Sequence, residues 1–86
     1  MDIEYKPKFK KQYAKLPIAM KLQFKERLKI LLDDPTHPQL KIHTLKGKYA
    51  GYLSMNVSGD LRAIYNYDGD RIIIFFFIGT HSQLYG

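Results

Sequence analysis

The sequence predicts an α+β fold, with an N-terminal helical hairpin packed on one face of an antiparallel β-sheet. Up to Asp34, apolar residues recur at helical spacing. From Leu53 they alternate with polar ones at the period of a strand. The dipeptide Asp68-Gly69, set between two such alternating runs, is a strong hairpin signal.

Met1 to Lys6 reads as a short strand, with Ile3 and Tyr5 on one side and Glu4 and Lys6 on the other. Pro7 suits the first position of a helix, where a missing N–H costs nothing. Phe9, Tyr13 and Leu16 then form one apolar stripe among Lys8, Lys10, Lys11 and Lys15. Pro17 ends this helix and begins a second, because the residue before a proline avoids the helical region. In the second helix Met20, Phe24, Leu28 and Leu31 make the core stripe, and Lys21, Lys25, Arg27 and Lys29 face water. Asp33-Asp34-Pro35 stops it, and Thr36 to Leu40 is a loop. Leu53, Met55 and Val57 make a half-buried strand, Ser58-Gly59-Asp60 a turn, and Leu61, Ala63, Tyr65 and Tyr67 the next strand. Arg71 to Ile78 is almost wholly β-branched or aromatic, as a central strand covered on both faces should be.

Register decides which side chains share a face. A two-residue turn at Asp68-Gly69 sets Tyr65 opposite Ile72, Ala63 opposite Ile74 and Leu61 opposite Phe76, an apolar set to pack on the helices. A three-residue loop before it sets Val57 opposite Leu61. The second face then carries Arg62, Ile64, Asn56 and Ser54 beside Ile73, Phe75 and Phe77. Monomers seldom leave such a patch bare, so a ligand, a partner or the C-terminal segment should cover part of it. Aromatics among cations suit single-stranded RNA; a dimer interface suits them almost as well.

Eighty-six residues are enough for one domain, and 45% apolar residues with seven tyrosines and five phenylalanines supply one core. The absence of cysteine excludes a disulfide scaffold and thiolate metal sites. The longest apolar run, Ile72 to Ile78, is too short to cross a bilayer, and the N-terminus lacks a signal-peptide pattern. A soluble cytoplasmic protein without membrane contact is expected. Fourteen basic residues against eight acidic ones give net charge +6, which favours nucleic acid or an acidic protein as partner.

His81 follows the last strand after Gly79-Thr80, a pair expected to turn the backbone sharply. An imidazole there is suited to proton transfer near neutral pH; a surface histidine in a tail has the same pattern. Arg62 can meet a phosphate through two N–H groups or pair with Asp60 across the turn. Lys46 and Lys48 flank Gly47, so backbone and ammonium groups can approach a phosphate together, with His43 just upstream. Tyr85 can stack on a base, orient a phosphate or pin the tail. Three scattered histidines make no metal site, and no cofactor is expected. Metal-free RNA cleavage needs a base for the 2′-hydroxyl, a cation for the charge on phosphorus and an acid for the 5′-oxygen. These residues suffice in kind.

Over essentially its whole length the chain resembles the RelE/ParE superfamily of toxins, within the RelE and YafQ-like mRNA interferases. The resemblance rests on the lysine-rich helical hairpin and on three segments, His43-x-Leu45-x-Gly47-x-Tyr49-x-Gly51-Tyr52, Gly59-Asp60-Leu61-Arg62-Ala63-Ile64-Tyr65 and Gly79-Thr80-His81-Ser82-x-Leu84-Tyr85. It implies a single RelE-like domain over residues 1–86 and cleavage of mRNA in the ribosomal A site. It also implies an acidic antitoxin as partner, with a toxin–antitoxin hetero-oligomer as the assembly. By the same resemblance His81 takes the catalytic histidine, Arg62 the strand arginine, Asp60 the acidic group beside it and His43 a second histidine. Tyr85 takes the terminal aromatic, and Lys46 and Lys48 the basic positions that bind RNA. The chain departs from the pattern at Asn56, commonly a histidine, and at Phe76 and Phe77, where an arginine is usual. Asn56 and Phe77 are therefore read as RNA contacts. Two other readings of the same pattern are a ParE-like toxin that inhibits gyrase by binding, and a non-catalytic RNA-binding relic.

Overall fold

Pro7 and Pro17 divide the N-terminal half as their chemistry requires. In a computed structural model, which describes residues 1–85, Pro7 opens helix α1 (Pro7–Ala14) and Pro17 is the N-cap of helix α2 (Ile18–Asp33). Strand β1 (Asp2–Tyr5) precedes them. After α2 come β2 (His43–Thr44), β3 (Leu53–Ser58), β4 (Leu61–Asp68), β5 (Ile72–Thr80) and a last short helix, α3 (His81–Tyr85). Two 3-10 turns, Pro38–Leu40 and Gly47–Tyr49, shape the loops around β2. Among the described residues no helix is long and apolar enough to cross a membrane.

The five strands form one sheet in the order β1-β5-β4-β3-β2. The meander from β2 to β5 is antiparallel as expected, but β1 joins it parallel, pairing Ile3 with Ile73 and Tyr5 with Phe75. The sheet is therefore mixed. The α1–α2 hairpin lies between β1 and the rest of the sheet in sequence, which is the length of connection a parallel neighbour needs.

Both expected hairpin registers change, and each change involves a bulge. Between β3 and β4 the loop is two residues, with Gly59 at φ +52 and Ser58 opposite Leu61. Val57 is then the extra residue before Asn56 pairs with Arg62. Between β4 and β5 the loop is three residues, with Gly69 at φ +65 and Asp68 opposite Ile72. Phe76 is the extra residue between the pairs Ile64–Phe77 and Tyr65–Phe75. Ile73, Phe75 and Ile78 consequently face the helices, not Ile72, Ile74 and Phe76.

Helix side chains satisfy backbone groups at the Val57 bulge and further along β5, as buried amides and carbonyls demand. Arg27 Nε donates to the Val57 carbonyl at 3.2 Å, and the Ile78 N–H donates to Gln12 Oε1 at 2.9 Å. Arg27, expected in water, is half-buried for this reason. The core holds Phe9, Phe24 and Leu31 from the helices against Met55, Val57, Ala63, Tyr65, Ile73 and Phe75. Leu40, assigned to a loop, is fully buried under them. Each such side chain contributes about 1.5–3 kcal/mol relative to exposure.

Candidate functional site

Arg62 sits on β4 between Asn56 of β3 and Gly79 of β5, on the sheet face away from the core. Strand β5 does not turn at Gly79-Thr80 as expected; it runs through Thr80, and α3 follows at once. Gly79 serves close approach instead. A Cβ there would lie 3.0 Å from Gln83 Oε1 and 3.4 Å from Leu84 Cδ2, so α3 folds back onto the face that carries Arg62. The C-terminal segment is thus what covers part of that face, with Leu84 buried beneath it.

Four contacts fix α3 and the ring of His81. The His81 N–H donates to Asp60 Oδ2 at 3.3 Å, and the Thr80 N–H donates to Gln83 Oε1 at 2.8 Å. Tyr85, one turn on from His81, holds its ring against the imidazole with centroids 4.7 Å apart. Tyr49 donates through its hydroxyl to the Leu84 carbonyl at 3.1 Å. The Tyr49 ring also touches Tyr85 and Phe77, at 5.7 and 5.5 Å. An aromatic column therefore runs from the sheet through Phe77, Tyr49 and Tyr85 to His81.

The other wall comes from the chain around β2. Lys41, at φ 47, ends the first 3-10 turn and leads into His43, which pairs with Ser54 on β3. His43 Nδ1 lies 3.1 Å from the Lys41 carbonyl. A carbonyl can only accept, so this bond places the proton on Nδ1 and leaves Nε2 of the neutral ring free as a base.

Between these walls lies a cavity of ≈ 380 Å³ lined by His43, Leu45, Lys46, Arg62, His81 and Tyr85. Among the described residues no carboxylate lines it, and the nearby Asp60 is engaged with the His81 backbone. Such a cleft concentrates anions. The Tyr85 hydroxyl is buried with no partner among the described residues.

The structure thus brings His43, Lys46, Arg62, His81 and Tyr85 together. The other candidates stand outside the cavity. Lys48 lies over the Tyr49 ring at 5.2 Å, Asn56 donates to the Gly59 carbonyl at 3.0 Å, and Phe77 packs under Tyr49. No ion pair joins Arg62 to Asp60; among the described residues the one ion pair is Lys6–Glu4. Leu45 and Tyr49 belong to the site too; both stand in the His43-to-Tyr52 segment that carries the family resemblance, although neither is assigned a role there.

Comparison with known proteins gives the family. A family model described as the bacterial toxin of type II toxin–antitoxin system, YafQ, matches residues 1–86. The chain belongs to the YafQ toxin family. YafQ from E. coli strain BL21(DE3) is 28% identical, with TM-score 0.79 over 99% of this chain and 98% of that one. The toxin of the E. coli DinJ-YafQ toxin-antitoxin complex is 31% identical, with TM-score 0.73 over 99% and 97%. A YoeB/ParE toxin from Agrobacterium tumefaciens shares the fold at TM-score 0.80 and 19% identity, covering 94% of this chain and 99% of that one. The RelE-like toxin fold is therefore common to them all. A sequence search of curated proteins returns no match.

Proposed function

We propose that this YafQ-family toxin is a metal-independent endoribonuclease that cleaves mRNA on the ribosome, acting in the cytoplasm as a single domain over residues 1–86. An acidic antitoxin neutralises it in a hetero-oligomer, as the toxin–antitoxin complex of its E. coli relative supports. The observation that carries the activity is the convergence of His43, Lys46, Arg62 and His81 on one cavity.

The reaction is transfer of phosphorus from the 5′-oxygen of one nucleotide to the 2′-oxygen of the nucleotide before it. One imidazole takes the 2′-hydroxyl proton; His43, with Nε2 free, has the form a base needs. His81 is the second imidazole and supplies a proton to the departing 5′-oxygen. Arg62, held between two strands, places its planar fork on the phosphate and offsets the charge that grows there. Lys46 draws the strand in from the rim, and Tyr85 holds its ring against the His81 imidazole. Asp60 acts through His81 by holding its backbone, a positioning role. Asn56 and Phe77 contribute by stiffening the turn and the aromatic column.

Induced expression with primer extension on a reporter mRNA tests this. Cuts within translated codons should fall at least about 100-fold in His81→Ala, as for loss of an acid–base group. Arg62→Ala should cost more than Lys46→Ala, because a strand holds its side chain more firmly than a loop does. Growth arrest with intact mRNA and altered DNA supercoiling would overturn the nuclease in favour of gyrase inhibition.

A further inference from the structure

Beside the cleft, on the same face of the sheet, four half-buried rings form a closed cluster. Tyr52 stacks on Phe76 with centroids 4.9 Å apart and planes 12° from parallel. Phe76 lies 6.4 Å from Phe77, Phe77 5.5 Å from Tyr49, and Tyr49 6.4 Å from Tyr52. None of the four is fully buried, and none belongs to the core that packs on the helices.

A regular strand would not build this cluster. Consecutive side chains of a strand point to opposite faces, so Phe76 and Phe77 should part. The bulge at Phe76 lets both reach the loop that carries Tyr49 and Tyr52. Bulges commonly re-aim a side chain in this way next to an active site. Phe76, expected to pack on the helices, instead keeps part of its ring in water.

The cluster is continuous with the cleft and is flanked by cations. Tyr49 touches Tyr85 at 5.7 Å, and Tyr85 in turn lies against His81. Lys48 stands over the Tyr49 ring at 5.2 Å and Lys8 over the Phe77 ring at 5.7 Å. Neither lysine has an ion-pair partner among the described residues.

We propose that Tyr52 and Phe76 form a stacking subsite for a base of the RNA strand outside the scissile dinucleotide. The inference rests on the RNA-cleaving reading above and deepens it: the cleft grips the phosphate that breaks, and the paired rings grip a neighbouring base. Every base presents a flat π face, so such a subsite adds affinity without sequence preference. Lys48 and Lys8 suit the phosphates that link this base to the cleft. An acidic protein would also satisfy the lysines. Continuity with a phosphate-binding cleft selects the strand already held there.

The test compares two ligands by fluorescence anisotropy, in the His81→Ala background that prevents cleavage. One is a single-stranded oligoribonucleotide; the other has the same length and every phosphate, but all its bases are removed. The ratio of the two affinities isolates what the bases contribute. In Tyr52→Leu and in Phe76→Leu that ratio should shrink at least about fivefold, the low end for one stacked base, while the baseless strand binds within a few-fold of the background protein. Tyr52→Phe and Phe76→Tyr, which keep the rings, should restore the ratio. A merely structural role would weaken both ligands together and leave the ratio unchanged, which overturns the proposal. A ratio near one in the background protein overturns it without any further variant, as does failure to bind either strand. Leu variants that keep the ratio but lose affinity for the antitoxin would give the surface to a protein instead. A wild type that cuts no mRNA would defeat the nuclease while leaving the ratio to decide the subsite.

Discussion

The Tyr65 hydroxyl is buried among core side chains and has no hydrogen-bond partner among the described residues. Burial first, and the neighbouring Tyr67 second, push its pKa well above the ordinary 10.0. Two consequences follow from one cause. Desolvating a hydroxyl without a partner costs free energy at neutral pH, so Tyr65→Phe should raise stability by about 1 kcal/mol, since the ring packing is kept. The second effect is on pH dependence. Because the folded pKa is the raised one, the native state holds its proton where the unfolded chain releases it. Stability is then intact below pH 10 and falls as the pH climbs above it. Tyr67, Tyr5 and Tyr13 are shifted the same way, so the Phe variant should show a shallower alkaline loss rather than none. Urea midpoints at neutral pH and above pH 10 measure both. A variant less stable at neutral pH would mean that the hydroxyl has a partner in solution.

At the level of elements, α3 depends on a glycine. Substituting Gly79→Ala puts a methyl 3.0 Å from Gln83 Oε1, the atom that accepts from the Thr80 N–H. Gln83 must then move, at a cost of about 1 kcal/mol for the lost bond, and His81 moves with its helix. Cleavage should fall at least about tenfold, as small misplacements of catalytic groups do, while the melting temperature drops by only about 4–8 °C. A parallel loss of stability and activity would show general unfolding instead. This helix also marks where sequence reading stops. The helical hairpin and its two prolines were legible, because 3.6-residue periodicity and proline chemistry are local. So was the β3–β4 part of the Arg62 face, since alternation fixes which residues of one strand share a side, but Ile73 and Phe75, expected on that face, lie in the core. The bulges at Val57 and Phe76 were not: the Val57 carbonyl is satisfied by Arg27 from far along the chain, and no local pattern marks Phe76. The parallel pairing of β1 with β5 is set by long-range packing, which no local pattern announces. A five-residue helix has too few turns to show a period, so α3 read as a tail even though His81, Tyr85 and Arg62 were singled out by residue type and order.

Across the whole molecule the +6 charge is divided between two surfaces with different neighbours. On one side of the sheet Lys46 and Arg62 stand with two imidazoles in a cleft that no carboxylate lines among the described residues; on the other, lysines alternate with apolar residues. Charge alone would attract RNA to either. What separates them is the companion chemistry: proton-transfer groups in the cleft, exposed aliphatics on α2. Salt dependence can distinguish the two, because each phosphate contact releases condensed counterions and contributes about 0.7 to the slope of log affinity against log salt for single strands. With His81→Ala as the uncleaving background, binding of a single-stranded oligoribonucleotide should weaken linearly on that plot. Adding Lys46→Ala should reduce the slope by about 0.7, and Arg62→Ala by at least as much. Lys10→Glu/Lys25→Glu should leave the slope nearly unchanged, since those lysines lie across the sheet from the bound strand. Fluorescence anisotropy over a range of potassium chloride concentrations measures all four. A slope that responds to the helix lysines and ignores Lys46 and Arg62 would place the RNA on the wrong face for cleavage, and the cleft chemistry would then have no substrate to act on.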